Sequence, residues 1–246
     1  MAGGTGAVGR PTVAAAEAAG HEVIVLARST GVDVRSGASL TGALDGIDVV
    51  IDVTSIGTLS TGKAVAFFRD ATTHLLETSE AAGVRHVIAL SIIGARGVDS
   101  GYYAGKTVQE ELVEQARIGW TILRASQFHE FAAQRARQRV LGTVIAPKMR
   151  SQPIAASEVA AVLVEIAMGD PRGLDRDLAG PQEENMADMI RRYLAAIGDR
   201  ARVQEVAIPG DMGKVSSSGG LLAGPDARLG AQTFEDWLHS PDLRTV

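Results

Sequence analysis

Two side chains that can transfer a proton lie four residues apart in the segment Tyr102-Tyr-Ala-Gly-Lys106. Residues at this spacing share one face of a helix. A phenol ionises near pH 10, so it exchanges protons poorly at neutral pH unless a nearby cation favours its phenolate. The spacing predicts Tyr102 as a catalytic acid and Lys106 as the cation beside it. Tyr103, three residues from Lys106, is the second choice, and a packed or hydrogen-bonded tyrosine is the alternative.

A second group of residues fits the binding of an anion. Glycines occupy positions 3, 6 and 9, directly before an alanine-rich helical run, 11–19. Gly3 permits a tight turn, Gly6 lets the backbone approach phosphates, and Gly9 lets the helix pack closely. Unpaired amides at the helix start, together with the helix dipole, attract an anion. The pattern predicts a dinucleotide pyrophosphate site, with a structural glycine turn as the alternative. The predicted contacts are Gly3, Thr5, Gly6, Ala7, Val8 and Gly9.

Residues that follow the next two apolar runs complete the predicted cofactor site. Arg28 stands about twenty positions past the glycine loop, where an arginine accommodates a 2′-phosphate and an acidic residue would bind the 2′-hydroxyl. With Ser29 beside it, Arg28 favours NADP over NAD, although it could also simply solvate a strand end. Thr54 and Ser55 follow the run 48–53 and are expected at the same edge of the sheet. Lys106 is also expected to hold the nicotinamide ribose.

Alternating strands and helices position these residues. The apolar runs predict strands over 21–27, 32–34, 48–53, 85–90 and 120–124. The segments between them predict helices over 11–19, 39–44, 60–82 and 102–116. This alternation indicates an α/β, Rossmann-like, doubly wound parallel sheet, in which ligands bind beyond the carboxyl ends of the strands.

The strand expected before the glycine loop is truncated, because only Met1 and Ala2 precede Gly3. A sheet of this type needs that strand at its centre. We therefore expect a mis-assigned start and about five further apolar residues encoded upstream, the length of an ordinary strand.

The pattern changes beyond residue 145. Helices are expected over 159–168, 186–197 and 233–238 and a strand over 202–208, and the serine-rich segment 216–220 is flexible by composition. These elements are too few for an independent core. The predicted domains are therefore a NAD(P)-binding Rossmann core, 1–145, and a small C-terminal α+β substrate lobe packed on it, 146–246.

Composition excludes several classes of function. The chain has no cysteine, which rules out thiolate nucleophiles and cysteine-bound zinc. Its net charge of −5 argues against a nucleic-acid partner, and the arginines at 135, 137 and 139 are expected to be solvated. Position 133 is alanine, so His129-Glu130 does not begin a zinc-protease motif, and no metal is expected. With no long apolar run and no signal pattern, we expect a cytoplasmic protein without a membrane partner. A monomer and a homodimer both remain open.

Five segments together resemble one family. They are Gly-Gly-Thr-Gly-Ala-Val-Gly at 3–9, Leu-Ala-Arg at 26–28, Ala-Leu-Ser-Ile-Ile-Gly at 89–94, Tyr-Tyr-Ala-Gly-Lys at 102–106 and Leu-Arg-Ala-Ser-Gln-Phe at 123–128. The chain resembles the atypical, NmrA-like branch of the short-chain dehydrogenase/reductases. The resemblance implies a Rossmann fold, a dinucleotide cofactor and a small substrate lobe. Active members place a serine or threonine near the end of the fifth strand, which makes Ser91 the third catalytic candidate, although Ile92 and Ile93 stand where further serines often occur.

Two more residues are expected beside the nicotinamide, because they follow the sixth strand. Gln127 could hold the carboxamide and Phe128 could cover the ring. The sequence thus predicts an NADP(H)-dependent oxidoreductase that passes a hydride to a small carbonyl or quinone. The alternative is a non-catalytic NADP(H) sensor, as some members of the branch are. A nucleotide-sugar epimerase is a third possibility, which the short C-terminal lobe disfavours.

Overall fold

The computed structural model describes residues 1–245. Its helices are α1 Gly9–Ala18, α2 Gly37–Leu40, α3 Thr61–Ala81, α4 Gly101–Glu114, α5 Glu130–Ala136, α6 Ala156–Met168, α7 Met186–Ala196, α8 Gly210–Ser218 and α9 Phe234–Leu238. Its strands are β1 Val49–Asp52, β2 His86–Ile92, β3 Gly119–Ala125, β4 Arg139–Val140, β5 Thr143–Pro147, β6 Arg150–Ser151, β7 Gly173–Leu174, β8 Leu178–Ala179, β9 Glu184–Asn185, β10 Arg202–Val206 and β11 Arg228–Leu229. Short 3-10 helices cover Arg28–Thr30, Ala95–Gly97 and Pro241–Thr245.

Local signals explain the ends of the helices that flank the site. The Ser60 hydroxyl accepts the Lys63 amide at 3.4 Å and caps the start of α3. Beyond its end, Gly83 has a φ of +74°, a conformation that glycine adopts without strain. Gly20, at +87°, follows α1 in the same way.

Contacts divide the chain into two compact units. Unit 1 comprises Met1–Arg124 and Val159–Arg176, and unit 2 comprises Ala125–Glu158 and the chain from Asp177 onward. The predicted boundary near residue 145 stays a prediction about domains, since these units are defined by contacts alone.

Unit 1 holds the parallel strands β1, β2 and β7 and nearly all of β3, and the predicted Rossmann-like fold class is confirmed. β1 pairs with β2 and β3 pairs with β7, both in parallel, and β2 lies between β1 and β3. Ala2 bridges both Leu26 and Asp52 in parallel, so Met1 and Ala2 occupy a position beside β1. The sheet and the helices that cover it bury a common core that includes Val50, Leu75 and Val87.

The strand expected over 21–27 does not form, which corrects the prediction. Only Leu26 of this segment makes a bridge, and Ile24 is 43% exposed. The ammonium of Met1 donates to the Ile24 carbonyl, and the Leu26 amide donates to the Met1 carbonyl. Met1, Ala2 and Gly3 are the residues paired with this run on that side, too few for a continuous ladder.

Two further short predictions are wrong. Residues 32–34 form no strand, because the Ser39 hydroxyl accepts the Asp33 amide and donates to the Asp33 carbonyl. The helix expected over 39–44 is instead the single turn Gly37–Leu40, which gives way at Thr41 to a run of turns. Side-chain bonds of Ser and Asp to the local backbone compete with regular structure.

Unit 2 contains small sheets and helices. β5 pairs in parallel with β10 and antiparallel with β4, β8 pairs with β11, and β6 with β9. The expected helix near the C-terminus is present as α9, and its Trp237 is fully buried. The segment 216–220 was expected to be flexible, but Ser216, Ser217 and Ser218 end helix α8, where their hydroxyls bond to carbonyls one turn back.

Candidate functional site

Close backbone contacts shape the glycine loop. Gly3 has a φ of +78°, and a Cβ there would lie 2.9 Å from the carbonyl carbon and oxygen of Val53. A Cβ on Gly9, the first residue of α1, would lie 2.1 Å from the Gly3 carbonyl oxygen. Both distances are far shorter than ordinary van der Waals contacts, so only glycine fits at these two positions. The Gly6 amide donates to the same Gly3 oxygen at 3.0 Å and closes the turn.

The outer side of this loop faces solvent. Thr5, Gly6 and Ala7 are exposed, and Arg10 fixes the loop by donating from Nε to the Thr5 carbonyl at 2.9 Å. Within residues 1–245, no backbone carbonyl accepts the amides of Ala7 or Val8. These amides precede the positive end of the α1 dipole. The loop therefore offers a place for a phosphate.

Arg28 and Ser29 are exposed in the 3-10 turn that follows Leu26. The Thr30 hydroxyl accepts the Ala27 amide at 3.1 Å and donates to the Val25 and Ala27 carbonyls, which fixes the turn. Arg28 thus projects from an ordered turn in the same unit as the glycine loop.

Residues at the end of β1 touch the glycine loop directly, because Gly3 packs on Val53 and Thr54. Asp52 is 3% exposed, and its Oδ1 accepts the Thr54 amide at 2.9 Å. The Thr54 hydroxyl is buried and has no hydrogen-bond partner among the described residues. Ser55, the next residue, is exposed. An unpartnered buried hydroxyl and an exposed one thus stand next to the loop.

A buried polar chain connects Asp52 to Lys106. Gln109 donates from Nε2 to Asp52 Oδ2 at 2.7 Å and accepts the Lys106 ammonium at Oε1, also at 2.7 Å. The ammonium also donates to the Leu90 carbonyl at 2.7 Å and lies 4.4 Å from the centre of the Phe68 ring. Lys106 is 3% exposed. The amide of Gln109 therefore bridges a buried cation to a buried carboxylate.

Tyr102 lies above this chain and reaches the surface. Its half-buried ring packs edge-on against Phe68, with 5.5 Å between ring centres, and its centre lies 5.7 Å from the Lys106 nitrogen. Its hydroxyl accepts a hydrogen bond from Ser55 Oγ at 3.4 Å. Tyr103, the second choice, is buried. The structure thus brings Tyr102, Lys106 and Ser55 together at one edge of the unit.

Ser91 is engaged elsewhere. Its hydroxyl donates to Glu110 Oε1 at 2.6 Å, and Arg124 and Arg96 also bind that carboxylate. Burial alone raises the pKa of Glu110, but hydrogen bonds from Arg124 and Ser91 and the charges of both arginines outweigh it and hold the pKa below its usual value. Ser91 is 4% exposed. The Ser91 hydroxyl therefore donates its hydrogen bond within a buried cluster of charged side chains.

Gln127 and Phe128 belong to unit 2. Gln127 is buried and its carbonyl accepts the Ile154 amide at 2.9 Å, while Phe128 is half-buried. Next to them, burial lowers the pKa of His129 to about 4, so this ring is neutral at neutral pH. Burial raises the pKa of Glu130 to about 7, against smaller effects of the Ala156 amide and the Trp237 indole. His129 Nε2 lies 3.1 Å from the Gln232 carbonyl oxygen, a contact across 103 residues of sequence.

Comparison with known families identifies the chain. A profile of NAD(P)H-binding proteins matches residues 29–170, more than half of the sequence. The chain belongs to the NAD(P)H-binding family. The match begins after the glycine loop, so the contacts of Gly3 and Gly9 are an independent observation. A search of curated protein sequences found no match.

Solved structures with the same fold cover nearly the whole chain. A nucleoside-diphosphate-sugar epimerase from Staphylococcus aureus has a TM-score of 0.72 at 16% identity, covering 97% of this chain and 98% of its own. An NADPH-dependent quinone oxidoreductase from Escherichia coli has 0.69 at 16%, covering 97% of each chain. A short-chain dehydrogenase/reductase superfamily protein from Agrobacterium tumefaciens, with bound NAD, has 0.68 at 18%, covering 99% and 96%. At these identities the likeness shows the fold alone.

The residues of this NAD(P)H-binding chain fit a dinucleotide. Glycine at positions 3 and 9 lets the loop fold closely against Val53 and against the start of α1, and the amides of Ala7 and Val8, which no backbone carbonyl of the described residues accepts, suit a pyrophosphate. Lys106 fits less simply, because two of its ammonium protons are used and its nitrogen faces the Phe68 ring. A ribose hydroxyl would have to accept a hydrogen bond from the one ammonium proton that remains.

Sequence reasoning missed Asp52, Gln109 and Glu110. Gln109 lies three residues after Lys106 on α4, a spacing at which side chains interact on a helix, so that partner could have been found. Asp52 ends an apolar strand, where a charged residue calls for a partner. Nothing local signals the pairing of Glu110 with Ser91, because it depends on packing across 19 residues of sequence.

In the described part of the chain, no helix is both long and apolar enough to cross a lipid bilayer.

Proposed function

We propose that this protein is an NADP(H)-dependent oxidoreductase of the NmrA-like short-chain branch that reduces a small carbonyl compound or quinone. The observation that carries the proposal is the position of Tyr102. Its hydroxyl is accessible beside the exposed Ser55, and its ring lies 5.7 Å from the buried ammonium of Lys106. A phenol next to a desolvated cation suits the donation of a proton, because the cation favours the phenolate that remains.

The chemistry divides between cofactor and chain. Bound NADPH supplies the hydride, and thus both electrons, to the carbonyl carbon. Tyr102 gives its proton to the carbonyl oxygen and later regains one from water. Lys106 holds its charge in place through Leu90 and Gln109, so no reorganisation of that charge is needed during the reaction.

Two observations support the finer assignments. Arg28 is exposed in an ordered turn, where its guanidinium can pair with a 2′-phosphate, which favours NADP. A quinone as substrate is suggested by the structural neighbour from Escherichia coli, whose name is an NADPH-dependent quinone oxidoreductase. We further propose a cytoplasmic protein with its substrate-recognising residues in 146–246.

A second candidate function is a non-catalytic NADP(H) sensor. The commitment of Ser91 to Glu110 favours it, because the serine expected to complete the catalytic triad has its proton engaged. The sensor needs the glycine loop and Arg28 but not the Tyr102 hydroxyl.

The first test measures cofactor binding through the fluorescence of NADPH and of NADH. We expect the parent to bind NADPH more tightly than NADH. Gly9→Ala forces the loop to move, at a cost of about 1–3 kcal/mol, so its NADPH affinity should fall roughly tenfold or more. The matched control is Gly62→Ala, since Gly62 lies in α3 with open space around it. Equal affinity in Gly9→Ala and Gly62→Ala would contradict the loop assignment.

Turnover then separates the two functions. A panel of quinones and small carbonyls is screened with the parent and with Tyr102→Phe, which keeps the ring against Phe68. We expect turnover by the parent and its loss in Tyr102→Phe at unchanged NADPH affinity. Unchanged turnover in the variant would remove Tyr102 as the proton donor. NADPH binding with no turnover of any substrate would favour the sensor.

A further inference from the structure

A carbonyl reduction leaves negative charge on one oxygen, and a second hydrogen-bond donor beside the proton donor strongly favours it. The residue expected to be that donor, Ser91, is buried and gives its proton to Glu110 at 2.6 Å. Glu110 in turn is held by Arg124 at 2.6 Å and Arg96 at 3.0 Å. Turning the Ser91 hydroxyl toward a substrate would take one donor from Glu110 Oε1, which would keep Arg124 Nε at 2.8 Å, and losing a hydrogen bond to a buried carboxylate is costly.

Another hydroxyl already contacts Tyr102. Ser55, in the loop after β1, is exposed, and its Oγ lies 3.4 Å from the Tyr102 oxygen. This is longer than the roughly 2.8 Å typical of hydroxyl pairs, and catalytic hydrogen bonds are often long before substrate binds. Two oxygens 3.4 Å apart can both lie about 2.8 Å from a third oxygen between them. The pair is thus spaced to hold one substrate oxygen.

Both ends of the loop are fixed, so Ser55 does not depend on substrate to find its place. On one side, the Thr54 amide donates to Asp52 at 2.9 Å. On the other, the Thr61 hydroxyl accepts the amide of Gly101 at 2.8 Å, and Gly101 immediately precedes Tyr102 on α4. Fixed donors stabilise developing charge better than donors that must reorganise.

We propose that Ser55 is a catalytic residue, the second donor to the substrate oxygen, in the role that the family resemblance gave to Ser91. The inference rests on the proposed function. As the hydride forms the new C–H bond and the C=O π bond breaks, the oxygen takes the Tyr102 proton. Ser55 keeps its own proton and donates a hydrogen bond, first to the substrate oxygen and then to the phenolate.

The test compares variants of one loop. Ser55→Ala removes the donor, Ser55→Thr keeps a hydroxyl, and Thr58→Ala is the control. Thr58 is in the same loop, and its hydroxyl accepts only the Ser60 amide among the bonds of the described residues. Turnover is measured against pH at saturating NADPH, and NADPH affinity is measured separately.

We expect Ser55→Ala to lose about a hundredfold in kcat, as when one donor to a developing oxyanion is removed, with NADPH affinity unchanged. The decline of its rate at high pH should move upward by about one pH unit, because the phenolate loses a hydrogen bond. Ser55→Thr should stay within about tenfold of the parent, and Thr58→Ala should match it.

A spectroscopic signature tests the contact without cofactor. With tyrosine labelled by ¹³C at Cζ, the Tyr102 resonance is assigned by its absence in Tyr102→Phe. It should shift in Ser55→Ala and stay in place in Thr58→Ala.

The outcomes separate this inference from the proposed function. Turnover of Ser55→Ala within threefold of the parent, while Tyr102→Phe is inactive, would overturn the role of Ser55 alone. A hundredfold loss confined to Ser91→Ala would return the role to Ser91. An active Tyr102→Phe would remove Tyr102 as the proton donor and the role of Ser55 with it, and no turnover by the parent would refute the proposed function itself.

Discussion

Replacing Asp52 by asparagine tests the buried chain that carries Lys106. Both carboxylate oxygens of Asp52 accept hydrogen bonds, from the Thr54 amide at 2.9 Å and from Gln109 Nε2 at 2.7 Å. Because Gln109 donates to Asp52, its oxygen is free to accept the ammonium of Lys106 at 2.7 Å. The direction of every bond in the chain is therefore set by Asp52.

Asparagine has one acceptor and one donor in place of two acceptors. If its oxygen keeps the Thr54 amide, its NH₂ group faces the NH₂ group of Gln109. Reversing the Gln109 amide relieves that clash but turns its NH₂ group toward the Lys106 ammonium. One donor clash, worth about 1–3 kcal/mol, remains in either case.

The substitution also removes the carboxylate that balances Lys106, which is 3% exposed. Lys106 reaches Asp52 only through Gln109, so this loss is smaller than the roughly 3–5 kcal/mol of a directly paired buried charge. We expect the free energy of unfolding of Asp52→Asn to fall by about 1–3 kcal/mol, the magnitude of the donor clash. The control is Asp48→Asn, because Asp48 is exposed just before the same strand and should change stability by less than about 0.5 kcal/mol.

Urea unfolding, followed by circular dichroism, measures both variants. A double-mutant cycle with Lys106→Met sharpens the test, because without the ammonium the Gln109 amide can reverse freely. Asp52→Asn should then cost clearly less than it does in the parent. Equal losses for Asp52→Asn and Asp48→Asn, or no coupling to Lys106, would refute the account of the chain.

Three further substitutions have defined outcomes. Arg28→Ala should weaken NADPH binding about tenfold and leave NADH binding unchanged in paired titrations, since it removes a charge-assisted contact to the 2′-phosphate alone. Ser91→Ala should lower the free energy of unfolding by about 1–3 kcal/mol in urea, because the buried carboxylate of Glu110 loses a donor. Burial raises the pKa of Glu130 to about 7, so the folded protein binds this proton more tightly than the unfolded chain does. The resulting stability is present in full below about pH 4.5 and is lost as pH rises through about 7. Glu130→Gln should abolish that loss, so between pH 4.5 and 8 the free energy of unfolding of the variant should rise relative to that of the parent by on the order of 3 kcal/mol. The same pH dependence of unfolding in both proteins would contradict this.

The helices and strands that build unit 1 around the site were predictable from the sequence. β1, β2, β3, α3 and α4 all lie within two residues of their predicted bounds. Apolar runs and glycine stops are local signals, and these elements obey them. The segment 21–27 failed because a strand also needs a partner of matching length, which a local pattern does not reveal. The segment 32–34 failed because the Ser39 hydroxyl bonds to the Asp33 backbone.

The residues of the candidate site were predictable from the sequence, but the hydrogen bonds between them were not. Tyr102, Lys106 and Ser55 were all singled out, but neither the contact of Ser55 with Tyr102 nor that of Ser91 with Glu110 was predicted. What a hydroxyl group can do in a site depends on which neighbour accepts its hydrogen bond. That neighbour is Tyr102 for Ser55 and Glu110 for Ser91, and both pairings join residues from separate elements.

The glycine of the Tyr-Tyr-Ala-Gly-Lys motif explains why its two reactive residues differ so much in exposure. A Cβ on Gly105 would lie 2.5 Å from Phe68 Cδ2 and 2.9 Å from the Ala64 carbonyl oxygen, so glycine is what lets α3 pack this close to α4. That close approach places the Phe68 ring 4.4 Å from the Lys106 nitrogen and excludes water from it. Tyr102, one turn earlier on α4, touches the same ring by its edge and keeps its hydroxyl accessible. The motif is therefore a unit of packing: its glycine brings α3 close to α4, and this close approach buries the lysine against the Phe68 ring while the tyrosine one turn earlier stays accessible.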